Sequence, residues 1–273
     1  MLRTRLCELL EIEVPVLGAP MGPEIAGLDL AAAVSNAGGL GMISFGGYPP
    51  PALRERIRKL RTMTSKPFGV NVLLEGPHLP LPESAFVDAC IAERVPVLSF
   101  FWGDPTPYVE KAHTAGVKVC DQVGSVRVAK RAAAAGVDFI IAQGVEKEKV
   151  LAATEEDTVR TTLFGNGWPN AYHRTLRTPF VEHWLPEERR GSEQRPDEPI
   201  IGEVTLGGRI PLPRFGAIPP AQDATGDIDA MDFLAGQCSG LVRRIEPAAV
   251  VVRDIVDEAV RILTERARQV RYS

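Results

Sequence analysis

Apolar and polar positions along the first half of this chain follow a repeating scheme. Short apolar runs at Val14–Gly18, Gly41–Ser44, Gly69–Leu73, Val97–Phe100, Lys118–Asp121 and Phe139–Gln143 predict strands. Between them, Gly27–Asn36, Pro51–Met63, Glu83–Glu93, Thr106–Ala115 and Ser125–Ala135 carry helical patterns. The unit recurs about every 25 residues, as expected for parallel βαβ units. Ala115-Gly116-Val117 and Ala135-Gly136-Val137 each end a helix on glycine and begin a strand at once. Val14–Gly18, bounded by Pro15 and Pro20, suits a fully buried parallel strand.

The alternation stops after Gln143-Gly144-Val145-Glu146. Lys147 to Asp157 is polar and helix-like. Residues 164–225 are rich in proline, glycine and charge, with one hairpin candidate, Ile200–Leu206 and Arg209–Leu212. Residues 226–240 and 247–270 read as amphipathic helices. Asp227 is placed to cap the first, and Val250, Ile255, Val256, Val260, Ile262 and Leu263 line the second. The chain thus divides into 1–146, built of βα units, and 147–273, loop-rich and then helical.

Composition narrows the function classes. With 273 residues and 45% hydrophobic content the chain can bury a large α/β core. The net charge is −4, from 31 basic and 35 acidic residues mixed along the chain, so no basic stripe points to nucleic acid. Glu8, Glu11 and Glu13 rule out a signal-peptide apolar region there, and no run of ~18 apolar residues predicts a membrane span. Cys7, Cys90, Cys120 and Cys238 lack CxxC spacing. Buried thiols in a reducing cytoplasm are expected, with neither disulfides nor a metal site.

Candidate chemistry gathers at the strand ends. Ala19-Pro20-Met21-Gly22 follows the first strand, and Asn36-Ala37-Gly38-Gly39-Leu40-Gly41 leads into the second. Met21, Asn71, Trp102, Gln122 and Gln143 all sit at or just past strand C-termini, the catalytic face of a β/α barrel. The amides of Asn71, Gln122 and Gln143 both donate and accept, which suits a ligand with a mixed polar edge. A plainer reading has them satisfying buried backbone, with Gly38, Gly39 and Gly41 only ending a helix. Asp104 and Asp121 are explained by a turn before Pro105 and by a strand-end cap.

Six stretches, in order, resemble the nitronate monooxygenase (2-nitropropane dioxygenase) family. They are Ala19-Pro20-Met21, Asn36 to Gly41, Lys66-Pro67-Phe68-Gly69-Val70-Asn71, Ser99-Phe100-Phe101-Trp102-Gly103-Asp104-Pro105, Val119-Cys120-Asp121-Gln122-Val123, and Gly136-Val137-Asp138 leading to Ala142-Gln143-Gly144-Val145-Glu146. Gly165-Asn166-Gly167-Trp168-Pro169-Asn170 is similar to part of the family's C-terminal tail. The resemblance implies a TIM-barrel-type (β/α)8 fold, here incomplete with about six βα units and a mixed helical C-terminal segment. It implies FMN, held by Ala19, Pro20, Met21, Asn71, Gln122, Gln143 and Gly144. It further implies alkyl nitronates or nitroalkanes and O2 as small-molecule substrates.

Against the family, Glu146 runs directly into a lysine-rich stretch that resembles a much later part of its members. An internal deletion near residue 146 would remove two βα units, the phosphate-holding loops and the family's basic histidine. His78, His113, His173 and His183 do not match that histidine's motif, so no catalytic residue is assigned. FMN binding is therefore expected to be weak or absent, and open sheet edges near Val16 and Ile141 invite pairing with the C-terminal segment or a second chain. Two alternatives stay open: a non-catalytic remnant or binding protein, and a flavin-dependent enoyl-thioester reductase.

Overall fold

A computed structural model describes residues 2–22, 25–45, 47–75, 81–142, 158–170, 172–192, 197–205, 209–220, 223–235 and 245–270. Two compact units divide the chain. The first comprises Met1–Glu75, Pro80–Gln143 and Glu246–Ser273; the second comprises Gly76–Leu79 and Gly144–Ile245.

In the first unit, helix α1 (Arg5–Leu10) precedes a βα series: α2 (Leu28–Asn36), β1 (Gly41–Ser44), α3 (Pro50–Met63), β2 (Phe68–Leu73), α4 (Glu83–Ala92), β3 (Val97–Phe101), α5 (Thr106–Thr114), β4 (Lys118–Val123), α6 (Val126–Ala134) and β5 (Phe139–Ala142). The strands form one parallel sheet in sequence order, β1 to β5. The arrangement is of TIM-barrel type, with helical crossovers between successive parallel neighbours. The five later candidate strands fall within a residue or two of their expected bounds.

The first expected strand, Val14–Gly18, is reduced to a single parallel bridge between Leu17 and Leu40. Pro15 has no N–H to give to a ladder. The amide of Val16 turns back onto the Val14 carbonyl, which leaves two bonds to the sheet, Gly18 N–H to Leu40 and Leu40 N–H to Val16. Gly41 opens β1 because a Cβ there would overlap the Ala31 carbonyl of α2. Only glycine lets that helix lie so close to the strand.

Register sorts the sheet into two faces, since residues two apart along a strand share a side. On one face Phe45 packs edge-on against Phe86 of α4, and Phe100 packs at a tilt against Tyr108 of α5. The other face, inward in a barrel, carries Met42, Val97, Cys120, Phe139 and Ile141. These pack with Cys7 and Leu10 of α1 and with Ile12 and Leu40 in one core. The long helix α9 (Ala248–Val270), as expected from the sequence, returns to this unit and packs on α2 with Val252 and Val256 buried.

In the second unit, β6 (Thr158–Thr161) pairs antiparallel with β7 (His173–Leu176). Helices α7 (Pro179–Trp184) and α8 (Glu188–Ser192) follow, then β8 (Ile200–Thr205), β9 (Arg209–Pro213) and β10 (Thr225–Gly226) in a sheet ordered β10-β8-β9. The expected hairpin is β8 and β9, paired antiparallel. The expected helix over 226–240 does not form across its described part. A 3-10 turn at Ile228–Ala230 is followed by extended chain that bridges Thr175 through Leu234. The Phe233 carbonyl takes the Leu176 amide and the Thr175 hydroxyl, so β7 has recruited this segment as a partner. Phe164, Phe180, Trp184 and Phe215 make the aromatic core. Arg190 and Arg214 both lie over Trp184, at 5.1 and 5.0 Å, and both pair with the buried Glu198.

Candidate functional site

One register row crosses the inward face as Ser44, Asn71, Ser99, Cys120 and Phe139. The next row toward the strand C-termini on that face is Leu73, Phe101, Gln122 and Ile141. Asn71 and Gln122, two of the expected ligand amides, therefore share a face, in adjacent rows near one end of the sheet. Asn71 is 4% exposed and its Oδ1 has no hydrogen-bond partner within the protein, while the fully buried Ser99 beside it has only the weakly bonding Cys120 thiol as a side-chain partner. A buried unpaired polar atom costs about 1–3 kcal/mol, so Asn71 Oδ1, with a hydroxyl next to it, marks a place where a ligand or water belongs. Ser99 opens the Ser99 to Pro105 stretch and is not among the expected ligand residues. Its signal is a hydroxyl inside an otherwise apolar strand, Val97-Leu98-Ser99-Phe100-Phe101, level with Asn71.

Ala19, Pro20 and Met21 follow the bridged Leu17 as irregular chain, with Met21 Sδ-bearing side chain 50% exposed and its amide bonded to the Ala19 carbonyl. Gln143 and Gly144 lie outside the described residues, as do His78, Cys238 and the helix-like stretch 147–157. Trp102, just past β3, stacks on Phe101 with ring centroids 4.2 Å apart and planes 26° from parallel.

The titratable groups nearby have structural duties. Asp104 is exposed and accepts from the amide and hydroxyl of Thr106, which hold its carboxyl below the usual range. This matches the turn expected before Pro105. Asp121 is not the expected strand-end cap. It is in register with Phe100 and Ile140 on the helix-facing side of β4, buried, and burial pushes its carboxyl up to about 6. Burial pushes the Cys90 and Cys120 thiols up to about 12, which keeps both protonated and unreactive. His113 on α5 pairs with Asp138 at 2.9 Å. In the second unit, His183 stacks edge-on against Trp184, and His173 lies 3.5 Å from the buried Asp232, whose carboxyl burial raises to about 7. The described residues contain no group of His, Cys, Asp and Glu arranged to hold a metal ion. None of their helices is long and apolar enough to cross a membrane.

Comparison with known proteins agrees with this layout. The chain is 37% identical over 145 residues to the (3aS,4S,5R,7aS)-5-hydroxy-7a-methyl-1-oxo-octahydro-1H-indene-4-carboxyl-CoA dehydrogenase of Rhodococcus jostii (strain RHA1), covering 53% of this chain and 40% of the relative. It is 30% identical over 176 aligned positions to the nitronate monooxygenase of Paraburkholderia phytofirmans (strain DSM 17436 / LMG 22146 / PsJN), covering 52% and 48%. The chain thus spans less than half the length of these curated relatives. The structure of FabK from Thermotoga maritima superposes with a TM-score of 0.73 at 27% identity, over 98% of this chain and 99% of that one. The nitronate monooxygenase family model matches residues 3–148, a span that holds the whole parallel sheet and ends beside the break read from the sequence. This chain belongs to the nitronate monooxygenase family.

Proposed function

We propose that this chain is a flavin-dependent oxidoreductase of the nitronate monooxygenase kind, with a well-kept isoalloxazine end and a weakened phosphate end. The observation that carries the reading is the unpartnered buried Asn71 Oδ1, beside the Ser99 hydroxyl and below Gln122 on the inward face. An acceptor oxygen, a hydroxyl and an amide suit the alternating donors and acceptors of a flavin's pyrimidine edge. Ala19, Pro20 and Met21 would lie against the ring, and Gln143 and Gly144 would complete the polar contacts. FMN, when bound, supplies the electron acceptor for an alkyl nitronate and returns the electrons to oxygen. The protein's part is to bind and orient both partners and to exclude water, for which α1 and the core behind Cys120 close the far end of the face.

The sequence joins Glu146 to Lys147 where family members continue into phosphate-holding loops and a basic histidine. Loss of at least two charge-assisted bonds to a phosphate dianion should weaken FMN by about 100-fold or more relative to a full-length relative. Neutral nitroalkanes need a base to lose a C–H proton, whereas preformed nitronates do not, so turnover should favour nitronates. Among the described residues Cys7, Cys90 and Cys120 are buried free thiols, which suits a reducing cytoplasm.

Titration with FMN, followed by flavin fluorescence, tests the reading, together with nitronate-dependent oxygen uptake. Weak saturable binding, lost in Asn71→Leu, is expected. A colourless protein that cannot be reconstituted would leave the remnant reading standing. Stoichiometric sub-micromolar binding with rapid nitroalkane oxidation would overturn the weakened phosphate end. The likeness to FabK over nearly the whole chain favours the enoyl-thioester reductase as second reading, and NAD(P)H oxidation separates it.

A further inference from the structure

We infer that the stacked pair Phe101–Trp102 is the wall against which the alkyl chain of the substrate lies, so that this site selects longer alkyl nitronates over short ones. The inference rests on the flavin reading for the identity of the substrate, and on local geometry for the rest. Phe101 occupies the last inward-facing position of β3, between Leu73 and Gln122 in its register row. It stands one row beyond Asn71 and Ser99 toward the strand C-termini. Trp102 then leaves the strand with φ 57°, and Gly103 follows with φ 66°. A left-handed tryptophan costs about 1–2 kcal/mol, and such strain concentrates at functional sites.

The turn is held from both sides. A Cβ on Gly103 would press on Leu74 Cβ, and Arg131 of α6 donates to the Gly103 carbonyl. The Leu74 amide extends the ladder to the Phe101 carbonyl. The backbone of the turn is therefore held, and the indole rests on the Phe101 ring. Phe100, one residue earlier on the opposite face, is fully buried, whereas Phe101 and Trp102 both keep part of their surface open. That open surface is what a ligand's carbon chain could cover. Aromatic rings carry no positive charge to attract the nitro group, and Leu73 and Ile141 extend the same row with apolar side chains. The row therefore offers one amide, Gln122, for polar atoms and apolar surface on either side for carbon.

Each methylene fully buried by apolar surface is worth about fourfold, and a one-sided wall supplies a fraction of that per group. Hexyl nitronate should bind about tenfold more tightly than ethyl nitronate. The test uses the full chain labelled with fluorotryptophan, its three tryptophans resolved by fluorine NMR and Trp102 identified through Trp102→Phe. Ethyl and hexyl nitronate are titrated with and without FMN, and FMN affinity is measured separately. The expected result is a Trp102 resonance that moves with hexyl nitronate, and a chain-length preference that Trp102→Ala abolishes. Phe101→Leu, which keeps the bulk of the side chain, should reduce that preference and serves if Trp102→Ala does not fold. Equal affinity for the two nitronates, a Trp102 resonance that stays still while they bind, or no binding by either overturns the inference. Failure to bind FMN, with hexyl nitronate still moving Trp102, would overturn the flavin reading alone.

Discussion

Replacing Asp121 with asparagine should stabilise the first unit at neutral pH and remove much of its pH dependence. Asp121 is 2% exposed on the helix-facing side of β4, and its Oδ2 has no hydrogen-bond partner. Burial raises its carboxyl from 3.8 to about 6; the charge of Arg131 opposes that rise and the charge of Asp104 adds to it. The folded state therefore binds this proton more tightly than the unfolded chain does. Stability from this group is fully present below the unfolded value of 3.8 and is lost as pH rises toward about 6. A shift of about two units corresponds to about 3 kcal/mol at neutral pH, less whatever attraction to Arg131 the asparagine forgoes. The stability of Asp121→Asn minus that of the parent should thus grow by about 2 to 2.5 kcal/mol between about pH 4 and about pH 7. Taking the difference cancels the titration of distant groups. Urea unfolding across that range, followed by hydrogen exchange at β4 amides such as Val119 and Cys120, isolates this unit. A difference that does not change with pH would refute the reasoning.

Two further outcomes concern packing. Gly41→Ala would drive a methyl group into the Ala31 carbonyl and should cost about 3 kcal/mol or more, read as a lowered urea midpoint or loss of soluble protein. A wild-type midpoint would show that α2 can move away from β1 freely. Glu198→Ala leaves Arg190 and Arg214 together over Trp184 without their shared carboxylate, and should destabilise the second unit by about 3–5 kcal/mol. Thermal unfolding followed by tryptophan fluorescence checks it, and an unchanged transition would mean that solvent already compensates those charges.

The βα half was legible because each of its elements announces itself locally. Glycine closes α5 and α6 at Gly116 and Gly136, both at positive φ, and apolar runs mark β2 to β4. The failures have physical causes. Val14–Gly18 looked like a strand by hydropathy, but Pro15 removes a donor and the ladder shrinks to one bridge. Thr158-Val159-Arg160-Thr161 and His173-Arg174-Thr175-Leu176 carry no apolar alternation. They pair because Arg174 reaches Thr158 and because distant chain around Phe233 completes β7. That same non-local bond overrode the helical pattern read over 226–240. Thr178 before Pro179 is a local helix start for α7, with the Thr178 hydroxyl accepting from the Val181 amide. In the candidate site, Asn71 and Gln122 were visible as strand-end amides. Ser99 was not, because its importance lies in its register beside Asn71.

The division of the first unit across the chain bears on how the protein is made. Its last element, α9, packs on α2, although the main stretch of the second unit, Gly144–Ile245, is encoded between β5 and α9. During synthesis the sheet and its early helices emerge first, and their remaining apolar surface stays uncovered while about a hundred intervening residues are translated. Closing so long a loop is entropically cheap per added residue, so the cost falls on time and exposure. A chaperone that releases the nascent chain late, or a second unit that folds quickly and brings its two ends together, would protect that interval. Slow codons within the second unit would lengthen it, with aggregation of the unfinished sheet as the consequence.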